Sequence, residues 1–298
     1  MRGVLPRRIL VAADLCPPSL SALGAAKELA LRWNASVEII YVKQPPMISA
    51  GNDHDGVPLS VLPVVAPGER KVEERLRRAA AGLPPERLSF QTVHGWLPAA
   101  LSDLARPPRA DMMVMGTHGY AGLDRLLTGS VAESVLRRAR IPVLAVPKHT
   151  SLSRVARIFA PWNAASYATR ALLWAKELAR SFRATLDVFH VEEPGMSGRR
   201  DWFSLDRRLR SILGEGSDWT LQTQKGDARK RIVAQANSGR YELVVLSAHR
   251  RSLSFDIVLG STIERLLRHS RVPVLGVPTG RSRPRLVDTL ALAVGSTR

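Results

Sequence analysis

DMMVMGTHGYAGLDRLLTGSVAESVLRRARIPVLAVP, residues 111–147, carries the signals that decide the fold. Met112–Met115 is a short apolar run, as expected of a strand buried on both faces. Gly116 follows at once, then Gly119 after two residues and Gly129-Ser130 after nine more. Val131, Val135, Leu136 and Ala139 then recur at helical spacing. Ile141-Pro142 ends that helix, because a residue before proline is pushed out of the α region. Val143–Val146 is a second apolar run, closed by Pro147.

Strand, glycine-rich loop and helix in this order describe a phosphate site. Glycine at a strand's carboxyl end turns sharply and puts no Cβ between its N–H and a ligand. Gly129-Ser130 stands at a helix start, where unpaired N–H groups and the helix dipole favour an anion. Ser130 adds a hydroxyl donor or caps its own helix. No Walker lysine follows Gly129. Phosphate would be held by backbone dipoles, which suits binding better than phosphoryl transfer. The alternative is a glycine-rich connection with a capped helix and no ligand.

Moving outward, the chain repeats itself. Arg8–Ala13 (RILVAA), Asp14 and AAKELA at Ala25–Ala30 recur 149 residues later as Arg157–Trp162 (RIFAPW), Asn163 and WAKELA at Trp174–Ala179. Val37–Val42 maps onto Leu186–Val191 at the same offset. The offset then falls to 131, pairing Gly95 with Gly226, Gly129-Ser130 with Gly260-Ser261, and Pro142 with Pro273. Most of the extra length in the first half lies in residues 44–68, rich in Pro and Gly and read as a surface loop. The first half reads as strand 8–13, helix 18–33, strand 36–42, helix 69–81, strand 88–94, helix 98–105, strand 112–115, helix 130–138 and strand 143–146. Such alternation argues for parallel βαβ units. The expected fold is α/β: two tandem doubly wound five-stranded parallel-sheet domains related by internal duplication. Ligands of such sheets sit outside the carboxyl ends where strand order reverses. Asp14 and Gly116 both fall there.

The pattern Gly-x2-Gly-x9-Gly-Ser, with ILVAAD…AAKELA and Val93-His94-Gly95, resembles the universal stress protein family of the ATP-binding type. The resemblance covers nearly the whole chain as two domains, 1–149 and 150–278, with a tail at 279–298. It implies strand order 3-2-1-4-5 in each half. It also implies ATP as ligand, leaving open a magnesium ion beside it. Asp14 would contact the adenosine side, and a carboxylate can accept from adenine or ribose. The alternative is local capping of the turn after it. The backbone near Val42 would meet adenine. Met115, Gly116, Gly119, Gly129, Ser130 and Val131 would contact phosphate and ribose, Met115 and Val131 through their backbones. His118 either reaches phosphate or faces solvent.

The second half departs from the motif. Asn163 stands for Asp14, Ser247 for Gly116 and Arg250 for Gly119, while Gly260-Ser261 persists. If these glycines need positive φ, side chains there are strained. Either Arg250 fills a vacant site or its charge retains some anion affinity. The first is favoured, giving one strong site per chain.

Composition bounds the rest. The 298 residues are 45% hydrophobic and 23% charged, long enough for two domains. No apolar run reaches the eighteen residues of a membrane span, and the amino end lacks a secretory pattern. The single cysteine, Cys16, excludes an internal disulfide framework and fits a reducing cytoplasm. The histidines show no metal-ligand spacing. The net charge is +18. Residues 1–149 carry 19 Lys+Arg against 13 Asp+Glu, and residues 150–298 carry 25 against 13. The excess is scattered arginine, without a nucleic-acid motif. Nucleic acid or an acidic partner therefore stays open but is not favoured over a solvated basic face.

The leading expectation is a cytoplasmic, nucleotide-dependent stress-response binding protein, probed by a partner or a second copy through the loop Gly116–Thr128. The alternatives are a slow ATPase or nucleotide-processing enzyme on the same fold, and a basic binding module. No catalytic motif is evident. The resemblance also implies pseudo-twofold pairing of the halves, with Val143–Val146 against Val274–Val277 as the seam. Further dimerisation of the chain stays open.

Overall fold

Alternating apolar runs and amphipathic segments build a three-layer α/β structure. The computed structural model describes residues 5–44, 68–117, 130–192, 202–216, 218–248, 250–253, 256–259 and 261–279. The first half runs β1 (Arg8–Ala12), α1 (Pro17–Trp33), β2 (Ser36–Lys43), α2 (Glu69–Ala79), β3 (Leu88–His94), α3 (Leu97–Leu104), β4 (Met112–Gly116), α4 (Ser130–Arg138) and β5 (Val143–Val146). The second runs β6 (Arg157–Pro161), α5 (Thr169–Phe182), β7 (Thr185–Glu192), α6 (Trp202–Leu213), β8 (Trp219–Lys225), α7 (Ala228–Ala236) and β9 (Leu243–Ala248). It continues with β10 (Arg250–Leu253), β11 (Asp256–Leu259), α8 (Ser261–His269) and β12 (Val274–Pro278).

Ten strands form one sheet in the order β3-β2-β1-β4-β5-β12-β9-β6-β7-β8. Each half contributes the order 3-2-1-4-5, parallel throughout. The halves join at β5 and β12, which pair antiparallel with Leu144 opposite Leu275. The seam is the one named from the sequence. It closes two apolar edges that would otherwise invite a foreign strand.

Side chains alternate across the sheet, as a pleated strand requires. Ile9, Val11, Met112 and Val114 pack beneath α1, α2, α5 and α6. Leu10, Met113 and Met115 pack on the other face with α3, α4, α7 and α8. Both layers are apolar, and each fully buried Leu, Ile or Met contributes about 1.5–3 kcal/mol. The connection between the halves is pinned to α1. Glu28 accepts from Ser151 Oγ at 2.8 Å and from Leu152 N–H at 2.5 Å.

The second half holds an element the sequence reading lacked. β10 and β11 form an antiparallel hairpin, Arg250 opposite Leu259, which lies against α4. It occupies the stretch equivalent to the first half's Gly119–Thr128. The surface-loop expectation for residues 44–68 falls, except for Gln44 and Gly68, outside the described residues, as does the tail beyond Thr279.

Candidate functional site

Parallel strands leave their carboxyl ends open at one edge of the sheet. β1 pairs with β2 on one side and β4 on the other, so strand order reverses between β1 and β4. Ala12 lies opposite Ile40 in β2 and Met115 in β4. Asp14 and Gly116 therefore leave adjacent strands at the same crevice, the position open α/β sheets use for ligands.

The turn after β1 is tightly built. Asp14 N–H donates to Ser19 Oγ at 3.1 Å, and that hydroxyl donates to the Cys16 carbonyl at 3.1 Å. Asp14 Oδ1 accepts from Cys16 N–H at 3.1 Å. Leu15 between them has φ 68, the left-handed region a side chain avoids. The Asp14 carboxylate thus has the local capping role that the sequence left open beside ligand contact. Burial pushes the Cys16 thiol up to about 11, and its hydrogen bond with Asp14 adds to the shift. Ser19 escaped the sequence reading; its position on the first turn of α1, five residues after Asp14, was the available signal.

At Gly116 the condition of positive φ is not met, so strain is not why glycine stands there. A Cβ would fall 2.8 Å from Pro18 C and Cβ and 3.0 Å from Ser19 N. Glycine is required so that the first turn of α1 can close on the end of β4. The same observation removes the strain argument against Ser247. The second half meets β9 there with a short 3-10 turn, Ser166–Ala168, in place of the first turn of an α-helix.

The other expected residues divide. Met115 is buried, and Val42 and Val131 are half-buried against the same apolar layer. Val42 pairs with Val93 of β3. Ser130 opens α4. His118, Gly119 and Gly129 lie outside the described residues, as does most of the loop Gly116–Thr128. Beyond Val42, Lys43 Nζ donates to Glu69 at 2.7 Å, and His94 Nε2 stands 3.8 Å from the same carboxylate. The Lys43 hydrogen bond holds the Glu69 carboxyl below its ordinary value and raises the Lys43 ammonium.

In the second half Asn163 repeats the Asp14 turn: Oδ1 accepts from Ala165 N–H at 3.2 Å. Ala164 repeats the left-handed turn residue at φ 56. Asn163 Nδ2 also donates to the Tyr167 hydroxyl. The Arg250 side chain and Gly260 lie outside the described residues. No helix among the described residues is long and apolar enough to cross a membrane.

This fold is shared with known proteins. The model of the universal stress protein family matches residues 6–147 and again 156–278. Universal stress protein A homolog 1 of Coxiella burnetii is 32% identical over 146 residues, covering 47% of this chain and 95% of that protein. A universal stress protein of Mycobacterium bovis is 23% identical over 236 residues, covering 72% of this chain and 80% of that protein. The crystal structure of a universal stress protein from Archaeoglobus fulgidus shares the fold at a TM-score of 0.64 and 18% identity, covering 92% of this chain and 99% of that one. Matched twice in succession over most of its length, the chain belongs to the universal stress protein family.

Proposed function

We propose that the first half binds an adenine nucleotide, ATP with a magnesium ion admissible beside it, and that binding regulates a stress response in the cytoplasm. The supporting observation is the meeting of Asp14 and Gly116 at the strand-order reversal, one residue stretch before the glycine-rich segment and α4. Val42 of β2 and Val131 of α4 both pack, half-buried, on the same apolar layer. Phosphate would rest on backbone N–H groups at the start of α4. Such a ligand shifts a population of conformers by its differential affinity and needs no turnover.

The reading assigns one site per chain. In the second half, residues 250–253 and 256–259 pair as the β10–β11 ladder. The ladder commits alternate N–H groups to the partner strand and away from a phosphate.

Asp14→Asn separates the ligand role from the local one. Asn163 makes the same turn in the duplicate, so asparagine keeps the Cys16 N–H acceptor and removes the charge. Titrating parent and variant with ATP should show weaker binding by Asp14→Asn at unchanged thermal stability. Equal affinity would remove Asp14 from the site.

A further inference from the structure

Gly95 and Gly226 end the third strand of their halves in one backbone conformation, with φ 146 and 133. Both donate N–H back to the neighbouring strand, to Lys43 O at 3.1 Å and Glu192 O at 3.0 Å. The next residue differs. Asp227 caps α7, its Oδ1 accepting from Lys230 N–H at 3.1 Å. The first half places Trp96 there, with no side-chain bond to α3. An indole only donates, so it cannot serve the first N–H groups of a helix. Packing does not account for it either, because Trp96 is 58% exposed. A large exposed ring with no capping role is available to a ligand.

Its place in the fold says which function. The Gly95 bond to Lys43 O puts Trp96 just past the end of β2, beside the residue that follows Val42. Neighbouring strands are about 4.8 Å apart. Leu97, the next residue, packs on the layer that also receives Val42, Val93 and Val131. Trp96 therefore sits at the start of α3 beside the carboxyl end of β2, where Val42 lies.

We propose that Trp96 is a base-stacking residue of the nucleotide site, its indole lying against the purine held at the Val42 backbone. The inference rests on the adenine reading of that site. Stacking uses the π face common to all bases. Trp96 thus favours ligands that carry a base over a bare polyphosphate, and leaves the choice between purines to edge contacts.

The test compares the full chain with Trp96→Ala and Trp96→Phe by calorimetric titration of ATP and of inorganic tripolyphosphate. Loss of one aromatic stack should weaken ATP roughly 5- to 100-fold in Trp96→Ala. Trp96→Phe should keep most of the affinity, and tripolyphosphate binding should not change in either variant. Parental ATP affinity in Trp96→Ala overturns the inference while leaving the nucleotide site intact. Equal losses for ATP and tripolyphosphate overturn it as well. A parent chain that takes up no ATP overturns the nucleotide reading and this inference together.

Discussion

Arg268 of α8 closes on Glu133 of α4 through two hydrogen bonds, Nε to Oε1 at 2.7 Å and Nη2 to Oε2 at 3.1 Å. The duplication offset of 131 carries Glu133 onto Glu264 and Arg137 onto Arg268. The reciprocal pair, Arg137 with Glu264, stands at 3.8 Å. The halves meet as an isologous interface does, each residue pair answered by its counterpart. The two pairs are not equal. Glu133 is 8% exposed and held bidentately, whereas Glu264 is 25% exposed and held at longer range.

That inequality predicts opposite effects of the same substitution. Glu133→Gln loses a bidentate charged pair and should cost about 1–3 kcal/mol in thermal unfolding at pH 7. Glu264 differs: burial holds its carboxyl above the ordinary value, the Glu133 charge adds to this, and Arg137 and Arg268 oppose it. A raised folded pKa means the folded state holds the proton more tightly than the unfolded state. Its stabilising contribution is full below the unfolded value and is lost as pH rises through the folded value. Glu264→Gln should therefore match or exceed the parent's stability at pH 7. Its advantage should vanish below the ordinary glutamate value of about 4.3. A loss as large as that of Glu133→Gln would contradict this.

The seam makes a second prediction through Gly276, which lies opposite Val143. A Cβ there would meet Leu136 Cδ2 and stand 2.9 Å from Ile263 Cδ1. Both are ends of flexible side chains that can give way. Gly276→Ala should cost about 1–3 kcal/mol by overpacking. Gly116→Ala should cost more, since its Cβ meets the backbone of Pro18 and Ser19. Denaturant unfolding of the two variants ranks them, and the reverse order would refute the close-approach account of Gly116.

Helix ends supply a third. Asn34 caps α1 and Arg183 caps α5 in the left-handed conformation, at φ 56 and 57. Asparagine adopts that region at a lower cost than arginine. Arg183→Asn, the residue the first half uses, should add up to about 1 kcal/mol, read as a higher melting temperature. No gain would mean that Arg183 makes a compensating contact.

Much of this was legible in the sequence because local signals agreed with the fold. The apolar runs at Met112–Met115 and Val143–Val146, and the breaks at Gly95 and Pro142, set elements that the structure repeats within a residue or two. The hairpin was not legible. Ser254-Phe255 links its strands without the Asn-Gly or Asp-Gly signal of a tight turn. The inter-half ion pairs were hidden for another reason. Glu133 and Arg137, like Glu264 and Arg268, stand four apart on one helix, a spacing that suggests pairing within each helix. Only the packing of α4 on α8 exchanges the partners. Gly116 shows the third limit, since a glycine needed for close approach reads the same as one needed for a ligand.

The central claim is that one half of the duplicated chain holds an adenine nucleotide. Equilibrium dialysis of the purified full chain against labelled ATP, with magnesium present, measures this directly. The account predicts saturation at one nucleotide per chain, and loss of that binding in Gly129→Ala. Saturation at two per chain, or no uptake at millimolar ATP, would contradict it.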